Sequence, residues 1–125
     1  HLQDTRCRYS GRSPGGPMIS DAEVEKAIDY IRDNSGAAAK AKADRLHLEI
    51  FRKSKHAILF GQSPEKTVAA SDAWAYAHPE YLELLEGYKV AIEQDEKLKW
   101  LMEAAKLKVE VWRTVQANQR AVSFS

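Results

Sequence analysis

The sequence holds one cysteine, Cys7, in 125 residues. A single thiol can build neither an internal disulfide framework nor a thiolate metal cluster, and this scarcity fits a reducing compartment. No apolar run approaches the roughly 20 residues needed to span a bilayer. No apolar stretch follows the polar, basic N-terminus as a secretory signal would require. Charge of one sign is also lacking, because the net charge is only +1. Glycine and proline are few and unevenly spread. Gly11, Pro14, Gly15, Gly16 and Pro17 crowd one short stretch, and beyond it only Gly36, Gly61, Pro64, Pro79 and Gly87 can break a helix.

Residues 1–17 carry no period of 2 or 3.6 and are read as a leader foreign to the fold, with Met18 as the expected natural start. Arg6, Arg8 and Arg12 against Asp4 give that segment +2, so the remainder carries −1. Net basicity therefore gives no argument for nucleic-acid binding. The whole chain is 44% hydrophobic and 30% charged, a globular composition, and beyond residue 17 it reads as one domain over residues 18–120, followed by a fraying tail at 121–125.

The patterns that are present are helical. Ser20-Asp21-Ala22-Glu23 is a capping box, and Val24, Ala27, Ile28 and Ile31 follow on one face. Asn34-Ser35-Gly36 either stops this helix or lies within a longer one. Ala37–Phe60 is a second helix with an expected inward stripe of Ala39, Ala43, Leu46, Ile50 and Ala57, widened by Phe51 and Ile58. Ser63 and Pro64 then suit the cap and first position of a third helix, Pro64–Ala77, with Ala69, Ala73 and Tyr76 on one face. His78-Pro79 ends it. The last helix is long, roughly Pro79 to Ala117, and its stripe runs Tyr81, Leu84/Leu85, Tyr88, Ile92, Leu98, Met102, Ala105, Val109, Trp112 and Val115, interrupted by Asp95. The expected fold is all-α, with three or four helices, as a helical bundle or coiled-coil-like oligomer. So long a stripe on so short a chain favours self-association, with Tyr81, Leu85, Tyr88, Ile92, Met102, Val109 and Trp112 as the oligomer interface.

Little here resembles an active site. His47 and His56 are nine apart, which is wrong for sharing a metal on one helix face, and His78 sits at a helix break. The carboxylate pairs Glu80/Glu83, Glu83/Glu86 and Asp95/Glu96 lie on a heavily charged helix and read as solvated. No nucleophile triad or phosphate-binding loop motif occurs. The expectation is a non-enzyme with no catalytic residue, metal or cofactor.

Charge is blocked along the chain. Ala37–Phe60 carries Lys40, Lys42, Arg45, Arg52, Lys53 and Lys55 against Asp44 and Glu49. Pro79–Glu96 carries Glu80, Glu83, Glu86, Glu93, Asp95 and Glu96 against Lys89, and Lys97–Arg113 turns basic again. Beyond ordinary solvated faces, two uses fit: pairing between helices or subunits that fixes register, or tracking a phosphate backbone. The six cations of the second helix, with Phe51, Phe60, Trp74 and Tyr76 nearby, form the candidate single-strand surface, although these rings also suit a core.

The order of features resembles a group of small phage and prophage proteins found with recombination and replication functions. The matching stretches are Asp21–Ala27, Ala37–Ala43, Phe51-Arg52-Lys53-Ser54-Lys55, Ala75–Tyr81, Ala104-Ala105 and Trp112-Arg113-Thr114. More distantly, the layout is similar to the UvsY-type recombination mediators, which are helical oligomers that bind single-stranded DNA and help load a recombinase onto strands covered by single-strand-binding protein. The resemblance implies a phage-type accessory protein of DNA recombination in the cytoplasm of a bacterial host. Its partners would be single-stranded DNA, a recombinase or single-strand-binding protein, and further copies of itself. A helical adaptor or inhibitor of a host protein, without nucleic-acid binding, is the main alternative, and a structural component of the particle a third.

Overall fold

The capping box starts the first helix as its residues require. In a computed structural model of the protein, which describes residues 19–124, Glu23 N–H donates to Ser20 Oγ at 3.2 Å and Val24 N–H to the Ser20 carbonyl at 3.1 Å. The expected leader lies outside the described residues. From this cap, α1 runs unbroken over Asp21–Gln62. Asn34-Ser35-Gly36 thus lies inside one helix. A helical glycine costs only about 1 kcal/mol relative to alanine, and the stretch that follows Gly36 is alanine-rich.

The second helix, α2, covers Val68–Ala77 and starts later than Pro64. Ser63 Oγ accepts the Glu65 N–H at 3.0 Å, a local turn that leaves Pro64 in the connection. Thr67 is the cap, its Oγ1 accepting from Ala70 N–H at 3.1 Å. The buried residues of α2 are Ser71 and Ala75; Ala69, Ala73 and Tyr76 are exposed, contrary to the expected face. His78 is extended, as a residue before proline should be, and its Nδ1 accepts the Glu80 N–H at 3.1 Å. The third helix, α3, runs over Pro79–Phe124, so the expected frayed tail stays helical through Phe124. The fold is all-α, with three helices and no strand among the described residues.

The described residues divide into two compact units, one joining residues 19–31 to 104–124 and one formed by Arg32–Glu103. In the first, Val24, Ala27 and Ala105 are buried. Trp112 Nε1–H donates to Asp21 Oδ1 at 2.9 Å. Ile28, expected on the inward face, is half exposed.

In the second unit α1 and α3 are antiparallel. Arg45 meets Asp95, Arg52 lies over the Tyr88 ring, and Lys55 meets Glu80, so numbers rise on one helix as they fall on the other. Besides His56 and Phe60, the sheltered positions of α1 in this unit are Asn34, Ala38, Ala41, Arg45, Leu48, Arg52, Lys55 and Leu59, and these eight form one line. They recur at alternating steps of four and three, the spacing of a coiled-coil seam. On α3 the seam uses the expected stripe, from Tyr81 through Leu85, Tyr88 and Ile92 to Leu98 and Met102. At the α2 end, Leu59, Ala75 and Tyr81 form a buried cluster covered by Phe60, Trp74 and Leu85.

The stripe expected to face inward on α1 faces outward. Ala39, Ala43, Leu46, Ile50 and Ala57 are exposed, and so are Phe51 and Ile58. Apolar spacing alone could not choose between two stripes of similar period on one helix. The inner stripe carries fewer large aliphatic groups but holds the three cations that α3 requires.

Among the described residues Leu59 is the one large side chain sealed completely from solvent, whereas Ile50 is 68% exposed. Leu59→Ala should cost about 2–5 kcal/mol, and Ile50→Ala should stay within about 0.5 kcal/mol. Thermal melting followed by circular dichroism measures both. Equal shifts for the two variants would contradict this orientation of α1.

Candidate functional site

The six cations proposed for nucleic acid do not form one surface. The seam of α1 takes three of them. Arg45 donates through Nη1 to Asp95 Oδ2 at 3.2 Å and Glu96 Oε1 at 3.0 Å. These contacts raise the guanidinium pKa above its usual value, the Glu96 hydrogen bond first and the Asp95 hydrogen bond second. The Asp95 side chain is only 15% exposed, so without Arg45 it would be a nearly buried, uncompensated charge. Arg52 lies 5.6 Å from the centroid of the Tyr88 ring, a cation–π distance. Lys55 Nζ pairs with Glu80 Oε2 at 2.8 Å.

The other three point away from α3. Lys40 makes an exposed pair with Asp44 one turn on, at 2.7 Å. Lys42 and Lys53 are exposed and have no ion-pair or ring partner among the described residues. They lie beside Leu46 and Ile50, so the outward side of α1 combines two unpaired cations with a broad aliphatic strip. Phe51 lies on a different flank of α1, stacked on His47 with centroids 5.9 Å apart and planes 10° apart.

The aromatics near the Gly61 break divide similarly. Phe60 and Trp74 are half-buried against the Leu59 cluster. Tyr76 is half exposed, and its ring sits 4.2 Å from that of His56. His56 is enclosed by Phe60, Tyr76 and Tyr81. Its Nε2 lies 3.3 Å from Asp72 Oδ1 yet makes no well-directed hydrogen bond. On α3, Trp100 is two-thirds exposed with Lys99 Nζ 5.8 Å from its ring.

The residues expected at an oligomer interface are engaged within the chain. Tyr81 is buried in the α2-end cluster, and Leu85 packs on it. Tyr88, Ile92 and Met102 are half-buried on the same seam, and Val109 and Trp112 are half-buried in the other unit. A stripe on α3 needs a partner helix, and α1 supplies it without a second chain. Among the described residues no group of three or more His, Cys, Asp or Glu is placed to hold a metal ion. No helix among them is long and apolar enough to cross a membrane.

No family model, curated protein or solved structure matches the chain.

Hydrogen bonding from Lys55, and then its charge, holds the Glu80 carboxyl below the ordinary glutamate value. A depressed folded-state pKa stabilises above the unfolded value, and that contribution is lost as pH falls through the folded value. Glu80 is more than half exposed, so the effect is small. Lys55→Met should therefore melt below wild type at neutral pH, with the gap closing in acid as Glu80 protonates. Melting curves across that range check it; a gap constant at every pH would show that the pair contributes nothing.

Proposed function

We propose that this chain is a non-enzymatic accessory protein of phage-type DNA recombination or replication, a recombination-mediator-like assembly factor. It holds single-stranded DNA and its protein partners along the outward side of α1. The observation that carries this reading is the double character of that helix. One side is committed to α3, and another presents Lys42 and Lys53 beside Leu46 and Ile50 with no intrachain task. Cations interleaved with stackable or apolar groups suit a strand held without sequence readout. The likeness to phage recombination proteins gives the biological setting, with a recombinase or single-strand-binding protein as partner, further copies of the chain beside it, and a bacterial cytoplasm as the site of action.

One observation favours a second reading, an adaptor or inhibitor that binds only protein. Arg45, Arg52 and Lys55 are turned to the seam, which leaves the outward side of α1 more aliphatic than basic.

Binding of a labelled single-stranded oligonucleotide, measured from low to physiological salt, separates the two. Under the DNA reading, affinity falls with salt, and Lys42→Glu/Lys53→Glu weakens binding at low salt and flattens the slope by roughly 1.4, about 0.7 per lost phosphate contact. Absence of binding at low salt would sink the DNA reading in favour of the adaptor.

A further inference from the structure

A second side of α1 in the Arg32–Glu103 unit is also unpartnered. Lys40, Asp44, His47 and Phe51 follow at steps of four, three and four, so they form one line along the helix. That line borders an open groove of about 390 Å³ between α1 and α3. The groove includes the small residues Ala41, Gly87 and Ala91, and Asp44, His47 and Val90 line it too. Small residues let another helix approach closely. A Cβ added at Gly87 would meet nothing within 4 Å, so the groove is open there.

The order of chemistry along the line reads cation, carboxylate, imidazole, aromatic ring. A twofold axis midway between Asp44 and His47 sets the same line antiparallel to itself. Asp44 then faces the partner's His47, and Lys40 faces the partner's Phe51, each contact occurring twice. An imidazole opposite a carboxylate and an ammonium opposite a ring are both favourable, and both arise in one register. The Lys40–Asp44 pair within the chain is exposed and free to be shared.

We propose that this side of α1 is a self-pairing surface: two copies of the chain associate about that twofold axis, with α1 of each seated on the groove of the other. The partner is a second copy because the line matches itself contact by contact, imidazole N–H to carboxylate and ammonium to ring. A polyanion would meet Asp44, and an acidic or basic helix would match only half of the line. The surface is distinct from the Lys42–Lys53 side, so the pairing goes beyond the proposed function and can fail without it.

Native mass and sedimentation of the full chain test the pairing. Wild type is expected as a dimer. His47→Asp sets carboxylate against carboxylate at two symmetric places and should raise the dimer dissociation constant about tenfold or more. The exchanged variant Asp44→His/His47→Asp restores opposite partners and should recover the dimer. Gly87→Leu, whose Cβ would meet nothing within 4 Å, adds bulk to the groove and should weaken the dimer while helical content is kept. A wild-type chain that stays single at all concentrations overturns the proposal. So does a Gly87→Leu dimer as tight as wild type, or a His47→Asp variant no weaker than the exchanged one. Oligonucleotide binding by the same samples reports on the functional reading separately: its loss with the dimer intact leaves the pairing supported.

Discussion

The contact between Arg45 on α1 and the Asp95–Glu96 pair on α3 decides which way α1 faces. Asp95 sits inside an otherwise apolar stripe and is nearly buried. A buried carboxylate left unpaired costs several kcal/mol, more than the gain from burying one additional aliphatic side chain, about 1.5–3 kcal/mol. The helix therefore turns its cations inward and leaves Leu46 and Ile50 in water. Arg52 over Tyr88 and Lys55 on Glu80 fall in the same register, so three polar contacts agree on one alignment. Polar residues in a coiled-coil seam act this way, giving up some stability to select a register.

The proposed surfaces follow from this orientation. Because the seam takes Arg45, Arg52 and Lys55, the cations left for a ligand are the outward ones. Because aliphatic groups are left outside, the same side can receive protein. The groove beside it exists because Ala41, Gly87 and Ala91 keep the approach between α1 and α3 open on that flank.

Much of the fold was legible in the sequence. The capping box at Ser20, the break after Gly61, the His78-Pro79 boundary and the long stripe from Tyr81 all follow from local chemistry. The interior of α1 was not. Its two stripes have the same spacing, and the outer one is the more hydrophobic, so periodicity pointed to Leu46 and Ile50. The clue was on the other helix: Asp95 in the middle of the α3 stripe demanded a cation from its neighbour. Gly36 left one boundary open and Pro64 misled, for a different reason. A lone glycine costs too little to end a helix amid alanines, and Thr67 could cap α2 as well as Ser63 could. The candidate site was half legible. All six cations could be named from sequence, but which three face solvent depends on tertiary pairing.

The central claim, that the Arg45–Asp95 contact within one chain orients α1, is tested most directly by a double-mutant cycle read by thermal melting in dilute solution. Arg45→Met alone should lower the melting temperature, since it strands Asp95. Adding Asp95→Leu should recover most of that loss, because an apolar pair replaces a buried ionic one. Strictly additive shifts from Arg45→Met and Asp95→Leu would mean that the two residues do not meet, and would contradict the account.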